Sequence, residues 1–264
     1  MKTNDRGLSA LLALTELPRA AVEASTLVPA LPMLASVPAG DGHPVIVVPP
    51  FGLDDESTLV LRTYFDLKGY DVHGWGLGTN LGWQQLGGYD GLVARVTNLY
   101  RTSGLKRVSL VGWSLGGVHV RAVAKVAPLA VRQVISVGAP IGGPIADTAI
   151  WEAFRRTQPE LSATLREGMK LAEPFRRIMH EPPPGIPTTA VYSRSDAVVP
   201  WHLAMELERR FTENIEVYSS HTGLGVNPAV LYAIADRLAQ PRNRWQRFDR
   251  SGWRATLYGP AERP

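Results

Sequence analysis

Ser114 stands in the run Gly112-Trp113-Ser114-Leu115-Gly116-Gly117, directly after the strand candidate 107–111 and directly before a stretch with helical periodicity. A serine with glycine two positions to either side, between a strand and a helix, marks a sharp turn that lifts a hydroxyl above a sheet. Gly112 and Gly116 have a steric reason to be there, because such a turn brings neighbouring backbones too close for Cβ atoms. Ser114 itself is expected in a strained conformation. Its hydroxyl is a poor nucleophile until a base takes the proton and an acid orients that base.

In sites of this kind the partners follow along the chain in the order serine, acid, histidine. Downstream of Ser114, His119 falls on the helix that leaves the turn, His180 in an irregular insertion and His202 at a helix start. His221 follows the last expected strand, in the loop Ser219-Ser220-His221-Thr222-Gly223-Leu224-Gly225, and is the expected general base. Asp196 follows the strand expected at 188–192, at a carboxyl strand end, and is the expected acid, with Asp147 as the other candidate. An oxyanion needs two backbone donors. The amide of Leu115 is the first. The second lies in Pro49-Pro50-Phe51-Gly52 after the run 44–48; proline lacks an N–H, so Phe51 supplies the first available amide, and Gly52 is the alternative.

These groups must be held by a scaffold, and the chain reads as one. Strands are expected at 44–48, 70–75, 107–111, 131–137, 188–192 and 215–218, with helices at 57–68, 91–102, 115–127, 201–211 and 228–239. Apolar runs such as Val45-Ile46-Val47-Val48 imply strands buried on both faces, so the fold class is α/β with a mostly parallel, doubly wound sheet. Residues 42–140 and 186–240 form the expected core. Residues 1–41 read as an N-terminal helical arm carrying an amphipathic helix, packed on the domain. Residues 141–185 show only helical pattern and read as a cap inserted between strands; residues 241–264 form a basic, aromatic tail whose aromatics dock and whose arginines face water. Trp113, Trp151, Phe154, Met169 and Phe175 are the candidate substrate-pocket residues, although helical apolar spacing equally describes ordinary packing.

At 264 residues and 45% hydrophobic composition, one sizeable core is affordable. The absence of cysteine excludes disulfides, a thiolate nucleophile and cysteine-ligated metal. No apolar run approaches the ~20 residues that span a bilayer. The N-terminal Leu/Ala run is interrupted by Asp5, Glu16 and Pro18 and makes a poor signal peptide, so a cytoplasmic location is expected. A net charge of +4 carries no nucleic-acid signature. The glycine-rich residues 74–88 lack both the dinucleotide fingerprint and a P-loop lysine, and read as a pocket-wall loop.

Pro49-Pro50-Phe51-Gly52, Gly74-Trp75-Gly76-Leu77-Gly78-Thr79-Asn80, Gly112 to Gly117, Asp196 and His221 together resemble the lipase-like branch of the α/β-hydrolase superfamily, over about residues 44–239. One departure is that Pro50-Phe51 replaces the His-Gly pair frequent in the oxyanion loop of related lipases, which bears on the second donor rather than the nucleophile. The resemblance implies hydrolysis of a small-molecule or lipid ester through an acyl-serine, with neither metal nor organic cofactor. The same groups would serve thioester hydrolysis, acyl transfer, carbon–carbon cleavage or perhydrolysis, and the fold also hosts ligand receptors.

Overall fold

A computed structural model describes residues 14–82, 89–143, 180–241 and 244–260. Six parallel strands, β1 (Pro44–Val48), β2 (Asp71–Gly74), β3 (Val108–Trp113), β4 (Val131–Val137), β5 (Thr188–Tyr192) and β6 (Thr212–Glu216), lie side by side in the order β2-β1-β3-β4-β5-β6. The chain winds outward from β1 to β2, then crosses back to β3 and winds the other way. That reversal opens a crevice at the carboxyl ends of β1 and β3, where open α/β sheets bind ligands. β1, β3 and β5 are buried along their whole length, β1 on an unbroken apolar run, while β2 is an edge strand with one exposed and three half-buried residues.

The helices are α1 (Glu16–Ser25), α2 (Leu31–Ala35), α3 (Leu59–Leu67), α4 (Asp90–Thr102), α5 (Leu115–Val126) and α6 (Pro228–Leu238). One face of the sheet carries α3 and α6, with Leu61, Phe65, Leu231 and Ile234 packed on Val45, Val47, Val111 and Ile135. The other face carries α4 and α5, with Leu92, Val96, Val120 and Val123 on Ile46, Val48, Leu110 and Val134. Alternate residues of β1 thus feed two separate cores, which is the period-two consequence of a strand covered on both sides.

Two expected elements are corrected. Residues 201–211 form no helix beyond the single 3₁₀ turn Trp201–Leu203. The segment after it has no regular structure and is held by side-chain partners: Asn214 accepts from the Glu206 amide at 2.7 Å and donates to the Glu206 carbonyl at 3.0 Å, and the buried Glu206 carboxylate pairs with Arg121 of α5. The last strand is Thr212–Glu216 rather than 215–218, because Thr212, Glu213 and Asn214 are buried in spite of their polarity. Glu213, for instance, accepts from Arg237 at 2.8 Å and Thr189 at 3.1 Å.

The tail docks through Phe248, whose amide donates to Glu213 at 2.7 Å, and Tyr258, which forms an antiparallel bridge with Val217. The expectation that the tail arginines face water fails for two of them. Arg254 donates to the Tyr232 hydroxyl at 2.7 and 3.1 Å, and Arg250 folds back onto the Asn214 carbonyl. Their planar guanidinium groups settle against the aromatic cluster that they help close.

Candidate active site

β3 ends at Trp113 and α5 begins at Leu115, so Ser114 alone makes the turn, at φ 52° and ψ −123°. This left-handed backbone is unfavourable for a residue with a side chain. Its neighbours show why no roomier turn fits: a Cβ on Gly116 would lie 2.4 Å from the Val48 carbonyl oxygen, and one on Gly112 would lie 2.3 Å from the Gly116 oxygen. The turn therefore presses against the end of β1, the strand that leads into Pro49-Pro50-Phe51-Gly52.

The structure brings Ser114, His221 and Asp196 together. Nε2 of His221 lies 3.0 Å from Ser114 Oγ, and Nδ1 lies 2.7 Å from Asp196 Oδ2. A carboxylate can only accept, so Nδ1 carries the proton and Nε2 presents its lone pair to the serine hydroxyl. The other carboxylate oxygen, Oδ1, accepts from the amides of Val198 and Val199, both at 2.8 Å, which fixes the acid in its loop. Burial pushes the imidazolium of His221 down, but the charge and hydrogen bond of Asp196, with the charge of Glu16 behind them, outweigh it and hold the pKa above 6.5. Gly138, at the end of β4 with φ 53°, leaves room for this pair: a Cβ there would lie 2.4 Å from Leu224 and 3.3 Å from both Asp196 Oδ2 and His221 Nδ1.

Leu115 opens α5, where the first amides of a helix have no carbonyl partner within it and favour negative charge. In the facing loop, the amide of Gly52 donates to the Asn80 carbonyl at 2.7 Å. That commits the amide of Gly52, one of the two donors weighed from the sequence. Asn80, fully buried, staples the loop from below: its amide donates to the Leu53 carbonyl at 2.8 Å, and its side chain donates to the Pro49 carbonyl at 2.7 Å. Nε2 of His119 lies 3.1 Å from Asn80 Oδ1. Burial lowers the pKa of His119 to about 4, so its ring is neutral and donates to that oxygen. Asn80, in the glycine-rich segment read as a pocket wall, holds the loop of Phe51, a role that no local signal announced.

Trp113 is buried, its ring 6.4 Å from that of His221 and close against Gly225. Trp151, Phe154, Met169 and Phe175 lie outside the described residues, as do Asp147 and most of the expected cap. His202 sits in the short turn after β5 and His180 beside Arg121, neither of them at Ser114. Among the described residues, no three His, Asp or Glu side chains gather as a metal site, and no helix is long and apolar enough to cross a membrane.

Residues 58–178 match the family model of the alpha/beta hydrolase fold. Among solved structures, a Bacillus licheniformis lipase in its mature form aligns with a TM-score of 0.54 and 14% identity over 75% of this chain and 92% of that one. Alpha/beta hydrolase domain-containing protein 10 from mouse aligns at 0.52 and 19% identity, over 76% and 90%. A lipase-esterase related protein from Clostridium acetobutylicum aligns at 0.52 and 17%, over 74% and 95%. Likeness at these identities is likeness of fold. No curated protein matches the sequence. With the parallel sheet and its strand order, these matches give the chain the α/β-hydrolase fold.

Proposed function

We propose that this protein is a serine hydrolase that cleaves carboxylic esters with apolar acyl groups through an acyl-serine intermediate. The observation that carries the reading is the continuous hydrogen-bonded line Ser114–His221–Asp196 at the carboxyl ends of β3, β5 and β6. His221 Nε2 accepts the Ser114 proton as Oγ attacks the ester carbonyl. The carbonyl oxygen, becoming an oxyanion, takes hydrogen bonds from the amides of Leu115 and Phe51. The protonated ring, steadied by Asp196, gives its proton to the departing alcohol. Water then repeats the sequence on the acyl-serine, with His221 again as base, and releases the carboxylic acid. No step calls on a cofactor. The apolar acyl preference rests on Trp113 and on the pattern of Trp151, Phe154, Met169 and Phe175.

The test is turnover of p-nitrophenyl esters of increasing acyl length by wild type and Ser114→Ala, with labelling by a fluorophosphonate. Substitution is expected to abolish labelling and to lower kcat by on the order of 10⁴-fold or more. Full activity in Ser114→Ala would end the proposal. An optimum at the shortest acyl chains would end the apolar-acyl part alone.

A further inference from the structure

α1 lies on the domain with its charged face inward. Leu17 and Val22 are 72% and 66% exposed, whereas Glu16 is 6% exposed. The inward residues Glu16, Arg19 and Glu23 share one face of the helix by their spacing of three and four. A carboxylate is costly to bury without donors around it, and here the donors come from two loops. Glu16 accepts from the Ala197 amide at 3.1 Å with one oxygen and from the Thr222 amide at 3.0 Å with the other. These are the residues immediately after Asp196 and immediately after His221. Arg19 donates to the carbonyl and hydroxyl oxygens of Ser195, both at 2.8 Å. Glu23 accepts from the amide and hydroxyl of Ser220 at 2.7 and 2.8 Å, from Asn227 at 2.9 Å and from the Ser219 hydroxyl. Gly223 makes room for it, since a Cβ there would lie 2.2 Å from its carboxylate.

Hydrophobic anchoring is delegated to a different stretch. Leu34 and Val37 are buried against Leu61, Phe65 and Tyr70, and the Tyr64 hydroxyl donates to the Leu34 carbonyl at 2.9 Å. α1 therefore does not need its charged contacts merely to stay attached. Every contact described for Glu16, Arg19 and Glu23 ends within three residues of Asp196 or His221, except that to Asn227.

We propose that α1 is a clamp in which the positioning residues Glu16, Arg19 and Glu23 lock the Asp196 loop to the His221 loop and so set the geometry of the proton-transferring pair. This rests on the serine hydrolase reading for its consequence in catalysis. Among the described residues, the charged groups that act on the His221 ring are Asp196, from the loop after β5, and Glu16, from α1. Arg19 is held on Ser195 and Glu23 on Ser220, while Arg194 turns away to Glu216 and stacks on Trp201.

The experiment is Glu16→Gln and Glu23→Gln in the full chain, assayed on a p-nitrophenyl ester, with the His221 ring titrated by NMR in the resting protein. Glutamine keeps one acceptor oxygen, so one tethered group in each clamp loses its partner. Both variants should lose about tenfold or more in kcat with KM within about twofold, because the reacting groups are misaligned while substrate contacts stay. Glu16→Gln alone should move both the acid limb of kcat/KM and the ring titration to lower pH, since a negative charge beside the ring is gone; Glu16→Asp, which keeps the charge, should restore the titration. Wild-type kcat and titration in both variants would overturn the clamp, as would a loss of kcat matched by the fraction unfolded in circular dichroism. Should Glu16→Gln not fold, the split between kcat and KM in Glu23→Gln decides alone. A shifted ring titration in a protein whose wild type neither turns over esters nor labels would keep the clamp and sink the hydrolase reading instead.

Discussion

On the proposed reading, whether Ser114 acts as a nucleophile at a given pH depends on one proton on His221. The ring is useful as a base only when neutral, and Asp196 and Glu16 together favour its charged form more than burial opposes it. The folded pKa lies above 6.5, so the proposed activity is expected to be lost as pH falls through that raised value. The profile of kcat/KM against pH is thus expected to rise with a midpoint above 6.5, and a midpoint at or below that value would contradict the arrangement. His119, only five positions along, has the opposite fate: without a carboxylate beside it, burial decides and the ring stays neutral. Two buried histidines in one site region differ because one faces an acid and the other an amide.

Among the elements, α5 carries the turn at one end and an ion pair on its flank. Arg121 is nearly fully buried, meets the carboxylate of Glu206, and donates to the carbonyls of His180 and Glu181 at 2.9 and 3.2 Å. It therefore stitches the helix behind Ser114 to the chain on both sides of β5. Removing one partner of such a pair leaves a charge stranded in a poorly polarisable interior. Glu206→Ala is expected to cost about 3–5 kcal/mol in urea unfolding. A loss below about 1 kcal/mol would mean that Arg121 finds full compensation elsewhere.

For the molecule as a whole, acid is the condition that should unfold it. His43, at the foot of β1, bonds Ser109 at 2.7 Å and pairs with Asp41; burial and the charge of Arg132 outweigh that carboxylate and lower its pKa to about 4. His43 and His119 thus both sit below their unfolded value of 6.5. Their stabilisation is present above pH 6.5 and lost as pH falls towards 4. Each adds a slope of up to about 1.4 kcal/mol per pH unit in that window. His221 has the reverse sign, its contribution being complete below pH 6.5 and lost on the alkaline side, so it does not mask the trend. Urea midpoints measured across this window should fall steadily, and a flat profile would show that neither histidine is held neutral.

The sequence alone determined the parts governed by local sterics and period: the glycine-flanked turn at Ser114, the apolar runs that became β1 and β3, and the chain order leading to Asp196 and His221. Backbone crowding and burial leave their mark within a few residues, so they can be read along the chain. Only the tertiary structure committed the Gly52 amide, because its partner is a carbonyl of Asn80 from another loop. It likewise undid the helix expected over 201–211, whose propensity lost to side-chain partners on β6 and α5. The inverted arm is the extreme case. Glu16 and Thr222 meet across 206 residues of chain, and no periodicity distinguishes a charged face turned to water from one turned to a pair of loops. Pairing energy between distant groups exists only once the chain has closed on itself.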